Sequence, residues 1–282
     1  MLIAQLTDIH VGFEPGSGAE ELNRRRLRAV VKRLRALPLA PDMLVLSGDL
    51  TDRGDARSFA DLAEDLGEWP AALLPMVGNH DSREELLRTF PDCPSEGGFI
   101  HYAVERGGLR VILLDTFEPG RHGGAFCPAR AEWLAGQLAA HPDTPTLIFM
   151  HHPPVACGID WMDPAPGEAW IARFAQAVAG HRQIVAIHCG HLHRTAHTGF
   201  RGIPLGVTPS VAPAVALDLR PIAPEMPDGR ALITSEPPAY ALHRWHEGTL
   251  TTHYETVGEW VALADYGPGL QDMVRDMMAE RG

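Results

Sequence analysis

Four cysteines in 282 residues, with no CxxC pair among them, are too few and too scattered for a zinc ribbon or a disulfide-dense scaffold. Cys93, Cys127, Cys157 and Cys189 are read as free thiols, with one disulfide as the alternative. No apolar run approaches the ~20 residues of a membrane-spanning helix. Between Met1 and Asp8 there is no room for the charged, apolar and cleavage regions of a signal peptide. The expectation is a soluble, cytoplasmic protein. Basic charge is scarce as well: 24 Lys and Arg against 36 Asp and Glu give a formal net charge of -12. That balance disfavours a nucleic-acid polymer or an anionic membrane as partner. A small anionic substrate stays open, because bound divalent metals make a pocket locally positive. Internal repeats and low-complexity linkers are also missing.

What the chain does have is enough apolar residues, 45%, for a sizeable core. Strands are expected at 2–7, 43–47, 73–77, 109–114, 146–150 and 184–188. Helices are expected at 20–37, 56–66, 128–140 and 168–179, the first with Leu27, Val30, Val31 and Leu34 on one face and its arginines on a solvated one. Strand alternating with helix is an α/β layer pattern. After about Phe200 short strands at 214–217, 240–245 and 250–255 follow at hairpin spacing, interrupted by Pro-rich stretches. Residues 1–200 are read as the core. Residues 201–282 complete the sheets and add a β-rich extension or cap within the same globule.

At the strand ends lie five short words: Asp8-Ile9-His10, Gly48-Asp49, Gly78-Asn79-His80-Asp81, His151-His152-Pro153-Pro154 and Gly190-His191-Leu192-His193. Hydrolysis of a phosphate ester needs charge neutralisation on the phosphoryl oxygens and a nucleophile available near neutral pH. Two metals ~3.5 to 4 Å apart supply both. Carboxylate, imidazole and one amide oxygen suit Fe, Mn or Zn better than Ca. Asp49 has two oxygens with which to bridge. Each word alone is weak, whereas the ordered set is specific. Ser82 followed by Glu85 forms a capping box, placing His80 and Asp81 just before a helix N-terminus, where a phosphate is favoured.

This ordered set resembles the calcineurin-like metallophosphoesterase superfamily, and the Gly48–Gly54 run, Asp115, the His122-Gly123-Gly124 turn and the His151–Pro154 word resemble its bacterial class III cyclic-nucleotide phosphodiesterase and glycerophosphodiesterase branch. The resemblance implies a four-layer fold, a two-sheet β-sandwich flanked by helices. It implies that Asp8, His10, Asp49 and His193 bind one metal and Asp49, Asn79, His151 and His191 the other, with Fe, Mn or Zn as occupants and Co a substitute in vitro. A hydroxide bridging the two would attack phosphorus in line. The implied activity is hydrolysis of a small phosphodiester, a 3',5'-cyclic nucleotide or a glycerophosphodiester. A phosphomonoesterase, a nuclease or a non-catalytic metal-binding scaffold are the alternatives. Asn79 and His80 would contact the phosphate, His80 would protonate the leaving oxygen, and Asp81 would orient His80. A homodimer or larger homo-oligomer is implied, with the Pro221–Pro238 stretch as the candidate contact.

Other residues carry smaller expectations. His122 is a candidate substrate contact. His152 is either a partner of a ligand or structural. His188 is expected to be a hydrogen-bonded core residue and Cys189 a small buried one. Asp52 and Arg53 are expected to fix their loop by a salt bridge. Trp161, Trp170 and Trp260 are expected in the core or an interface, with Trp161 able to wall the pocket.

Overall fold

Five-residue runs buried from end to end, such as Met43–Ser47 and Thr146–Met150, can only be central strands covered on both faces. The computed structural model, which describes residues 1–281, places them in two separate sheets. In chain order the elements are β1 (Leu2–Leu6), α1 (Leu22–Arg35), β2 (Met43–Ser47), α2 (Ala56–Leu66), β3 (Ala72–Met76), α3 (Arg83–Thr89), β4 (Tyr102–Arg106), β5 (Leu109–Leu114), α4 (Pro128–Ala140), β6 (Thr146–Met150), α5 (Ala169–Val178), β7 (Ile184–Cys189), β8 (Ala196–Phe200), β9 (Ile203–Val207), β10 (Ala214–Val215), β11 (Ile233–Thr234), β12 (Ala239–His246), β13 (Thr249–Thr256) and α6 (Gln271–Ala279). The five-stranded sheet has the order β13-β12-β1-β2-β3 and the six-stranded sheet β4-β5-β6-β7-β9-β8. Strands β1, β2 and β3 are parallel, as are β5, β6, β7 and β9.

The period-2 alternation of a strand sorts the apolar residues into layers. Val111 and Leu113 of β5 belong to the cluster shared with the five-stranded sheet, α1 and α2. Ile112 and Leu114, on the opposite face, pack with Phe126, Leu134 and Phe174 beneath α4 and α5. Helix, sheet, sheet, helix is therefore the layer order. The late strands enter this core: β12 pairs antiparallel with β1, Gln5 opposite Ala241.

One expectation about α1 is corrected. Arg24 and Arg26 are not on a solvated face; they are 2% and 8% exposed. A buried guanidinium is tolerated only when its donors are paired. Arg24 reaches Asp61, Glu64 and Asp65 of α2 at 3.0, 2.8 and 2.6 Å. Arg26 donates to the carbonyls of Val211, Ala212 and Glu236. These arginines join α1 to α2 and to the last third of the chain. Trp260 is also exposed, outside the core of this chain, whereas Trp170 is buried.

His188 is the expected core histidine, and it has a partner the sequence did not suggest. Its ring lies 4.2 Å from that of His243 of β12, and Thr252 Oγ1 stands within hydrogen-bonding distance of both rings. Burial holds His188 down to about 3, with His197 adding to the effect, and burial together with His188 holds His243 well below its ordinary 6.5. Below pH ~6.5 the unfolded chain takes up two protons that the folded chain refuses. The pair's stabilisation is thus present above ~6.5 and is lost as pH falls toward 3, by about 1.4 kcal/mol per histidine per pH unit. Urea denaturation at pH 7, 6 and 5 should show His243→Gln losing less stability on acidification than the parent. Equal slopes would refute this account.

Candidate metal centre

All the parallel strands end on the same side of the molecule, so the segments following β1, β2, β3, β6 and β7 converge. Pairing continues past the strand ends. The Ile9 and His10 N–H groups both donate to the Asp49 carbonyl at 2.7 and 3.0 Å, and Asp52 N–H donates to Val11 O at 2.9 Å. These bonds hold backbone that side chains ordinarily resist. Five of the seven non-glycine residues with positive φ among the described residues are Asp8, His10, Asp49, His191 and His193, at 51°, 52°, 49°, 72° and 51°. Left-handed backbone of this kind costs about 1–3 kcal/mol per residue and concentrates where function demands it. Close approach explains the glycine before two of these words. A Cβ on Gly78 would lie 2.3 Å from Asp49 N, and one on Gly190 would lie 2.0 Å from Thr7 Oγ1.

The convergence brings every expected ligand into one site. Donor atoms of Asp8, His10 and His193 lie within 4.8 Å of one another, as do those of Asp8, Asp49 and His151. His10, Asp49 and His80 form a third such group, and His151, His152 and His191 a fourth. Asp49 belongs to the second and third of these groups. Its Oδ2 is 3.2 Å from His151 Nε2 and 3.6 Å from His10 Nε2, while its Oδ1 accepts the His80 N–H at 2.8 Å. Asn79 lines the same cavity, its Oδ1 3.2 Å from His152 Nε2.

The imidazoles are oriented so that one nitrogen of each faces the cluster. His151 Nδ1 donates to the Ser47 carbonyl and His193 Nδ1 to the Pro213 carbonyl, both at 2.9 Å. His10 Nδ1 lies 3.2 Å from Asp52 Oδ1. Backbone or carboxylate on the far nitrogen is the usual arrangement behind a metal-bound histidine. His151 Nε2 is buried with no hydrogen-bond partner, and His10 Nε2 and His193 Nε2 stand 3.2 Å apart. An orphaned buried nitrogen among carboxylates and imidazoles fits a cation.

The electrostatics point the same way. Burial raises Asp8 to about 6, with Asp49 adding to it, although His151 and His10 oppose. Burial also pushes Asp49 up, but His151, His10 and His80 overcome it and hold the carboxylate well below its ordinary value. Burial disfavours a charged His151, yet Asp49 and Asp8 raise it to about 9. His191, buried and beside His151, falls to about 3. Buried carboxylates and imidazoles crowded together in this way are a setting that a bound cation would stabilise.

Three local expectations change. Asp81 does not orient the His80 ring: its carboxylate accepts the N–H groups of Leu50, Thr51 and Gly78 at 3.1, 2.9 and 2.9 Å. It staples two ligand loops together, and burial and Asp49 raise it to about 6. The His80 ring is held instead by Asp52, whose carbonyl accepts from Nδ1 at 2.9 Å. Asp52 pairs with His10 rather than with Arg53, because the loops after β1 and β2 run side by side. No local signal in Gly48–Gly54 reveals a partner 42 residues away. The cap at α3 does form, Ser82 Oγ accepting from Glu85 N–H at 3.3 Å, while the Glu85 carboxylate turns to Arg88.

The cluster opens into a cavity of about 730 Å³ whose outer wall includes Phe13, His122, Trp161, Met162 and Ile233. His80, with a side chain 30% exposed, stands between cluster and cavity. His122 is 5.8 Å from it, ring to ring.

Comparison with known proteins agrees. A calcineurin-like phosphoesterase profile matches residues 1–195. The chain is 31% identical over 264 residues to a probable glycerophosphodiester phosphodiesterase of Arcobacter nitrofigilis, covering 92% of this chain and 94% of that one. It is 32% identical over 236 residues to a probable cyclic nucleotide phosphodiesterase of a Synechococcus species, with 83% and 88% covered. A dimetal phosphatase from Danio rerio has the same fold, with a TM-score of 0.66 at 16% identity over 92% of this chain and 97% of its own. From the ordered ligand words, the two-sheet fold that gathers them and this match, the chain belongs to the calcineurin-like phosphoesterase family.

Proposed function

We propose that this protein is a dinuclear metal-dependent phosphodiesterase acting on a small phosphodiester. The observation that carries the reading is the buried Asp/His cluster at the base of the cavity, with His80 at its boundary. Asp8, His10, Asp49 and His193 would hold one cation and Asp49, Asn79, His151 and His191 the other, with Fe, Mn or Zn favoured by the donor set. Bound there, two cations would neutralise the phosphoryl oxygens and make a water nucleophile available near neutral pH. The remaining work falls to this chain's own groups. His80, anchored through its Nδ1–H, would as an imidazolium present its Nε2–H to the leaving oxygen, deliver that proton and be left as the neutral Nδ1–H ring. Asn79 and His122 border the space in which the phosphate and its substituents would lie.

A diester is favoured over a monoester by the charge of the wall. Arg121 is the one Arg or Lys among the residues lining the cavity, and it is tied to Glu168 at 3.0 Å. Beyond the ligand cluster, His80 and His122, no unpaired Arg or Lys among the described residues lines the cavity to meet the second charge of a monoester. The apolar outer wall suits an organic substituent, a nucleoside or a glyceryl group, and the relatives' names supply those two candidates. The test is a panel of 3',5'-cyclic nucleotides, glycerophosphodiesters and the corresponding monoesters with Mn-, Zn- and Fe-reconstituted protein. Turnover confined to monoesters, or none with any metal, would sink the reading.

Metal loading should also be visible without substrate. Each cation at 100 times its dissociation constant adds about 2.7 kcal/mol to stability. For a chain of this size two such sites raise the melting temperature by on the order of 10 °C. A calorimetric scan with and without Mn²⁺ checks it, an unchanged melting temperature counting against the site.

The same reading places the enzyme in the cytoplasm, as four unpaired thiols suggest. No helix among the described residues is long and apolar enough to cross a membrane. A homo-oligomer is supported by apolar side chains left uncovered at Leu217, Leu219 and Met226 and in the C-terminal stretch at Trp260 and Leu263. Met226 lies in the Pro-rich segment and Leu217 and Leu219 just before it, and light scattering reads the mass directly.

A further inference from the structure

His152 has no place among the seven expected ligands, yet it touches more of the site than several of them. Its ring lies 4.8 Å from those of both His151 and His191. Its Nε2 is 3.2 Å from Asn79 Oδ1 and 3.1 Å from the His122 carbonyl, and its Nδ1 is 2.8 Å from Thr116 Oγ1. The residue is 2% exposed and Thr116 fully buried.

The chemistry of these neighbours fixes where the protons are. The His122 carbonyl only accepts, and the Asn79 atom facing the ring is its oxygen. Nε2 must therefore carry the hydrogen. A neutral ring then has a bare Nδ1, and Thr116 is the donor that meets it. Thr116 Oγ1 also lies 3.4 Å from the His152 N–H, so one hydroxyl accepts from the backbone and donates to the ring of the same residue. Strand register makes the pair possible: Leu114 of β5 is opposite Met150 of β6. Two residues further on, the same offset sets Thr116 beside His152. The third wall is Gly124, where a Cβ would come within 2.9 Å of His152 Cβ.

We propose that Thr116 and His152 are a positioning pair that locks the His152 ring in its Nε2–H tautomer, and that this ring aims Asn79 Oδ1 at the second cation while tying down the loop that carries His122. The proposal rests on the two-cation reading of the cluster. One of the two lone pairs of Asn79 Oδ1 accepts from His152, leaving the other directed elsewhere. Loss of the Thr116 hydroxyl frees the ring to place its hydrogen on Nδ1. A bare Nε2 then faces two oxygens that only accept, and Asn79 and the His122 loop are released together. Because the same bond holds both, cation affinity and substrate affinity should fall in concert.

The experiment uses the full-length protein with Zn²⁺ and no substrate. Calorimetric titration of Thr116→Val should show one of two zinc sites weakened about 10- to 100-fold, the usual effect of removing a group behind a metal ligand. The other site should hold its affinity, and Thr116→Ser should restore the first. Two sites of parental affinity in Thr116→Val, or failure of Thr116→Ser to restore them, would overturn the proposal. A second reading needs no variant. Long-range proton–nitrogen NMR of the zinc-loaded parent should find His152 protonated at Nε2 alone, and a ring protonated at Nδ1 refutes the lock even where Thr116→Val does not fold. Zinc affinity and tautomer are both read without turnover. Absence of diester hydrolysis in the panel above would therefore fall on the proposed activity and leave this pair standing.

Discussion

Asp49→Ala is expected to leave a folded chain that no longer holds two cations and hydrolyses a diester at least about 10²–10³-fold more slowly, the range that removal of one electrostatic stabiliser brings. The reason is position. Asp49 Oδ2 faces His151 and His10 at 3.2 and 3.6 Å while Oδ1 takes the His80 N–H. No other carboxylate touches all three. Its charge is secured by those imidazoles, which hold it well below the usual carboxylate range against the effect of burial. With the side chain gone, His151 loses the carboxylate 3.2 Å from its Nε2. Elemental analysis after dialysis should count fewer than two metals per chain, and rates on bis(p-nitrophenyl) phosphate should fall with it. Full activity and two metals in Asp49→Ala would remove the basis for the metal centre.

His80→Ala is the complementary experiment, expected to keep both metals and lose rate. The ring is not needed to hold the loop, because the contact to Asp49 runs through the His80 backbone N–H. What disappears is a proton donor at the cavity boundary, whose loss costs about 10²–10⁴-fold for a positioned acid. The loss should depend on the leaving group. An alkoxide must be protonated as it departs, whereas p-nitrophenolate leaves unaided. A cyclic nucleotide or glycerophosphodiester should therefore suffer far more than bis(p-nitrophenyl) phosphate. Equal losses on both would mean that His80 binds phosphate without transferring a proton, and loss of metal would move it into the ligand set.

Much of this was legible in the chain because the features concerned are local. Strands such as Met43–Ser47, Leu109–Leu114 and Thr146–Met150 and helices such as Ala56–Leu66 and Pro128–Ala140 announce themselves by apolar period and by Pro at a helix start. The ligand words are legible for a related reason. Each is a glycine or a short polar run at the end of a buried strand, where the backbone turns and a side chain can face a shared centre. The hairpin β8 and β9 escaped because Ala196–Phe200 is polar and mostly exposed. The strand at Tyr102–Arg106 escaped because it is a half-buried edge.

Partnerships were another matter. Asp52 with His10, Asp81 with the Leu50 and Thr51 amides, Arg24 with Asp65, and Thr116 with His152 join residues 30 to 42 positions apart. Arg24 and Arg26 looked like surface because charge alone says surface. Only paired acceptors make burial affordable, and those lie on α2 and in the 211–236 segment.

By itself, then, the sequence determined the layer pattern and the family and singled out the seven residues proposed to hold metal, since residue type and strand-end placement are encoded over a few positions. Tertiary structure alone decided how those residues are held. Strand register and continued loop pairing choose which nitrogen of each imidazole faces the cluster, which carboxylate lies between His151 and His10 and which staples loops. It also decided that His152, which the sequence left between a partner of a ligand and a structural residue, stands in contact with Asn79, His151 and His191 at once. A hydrogen bond needs its partner within ~3 Å, and no local pattern in a chain specifies what lies that close in space.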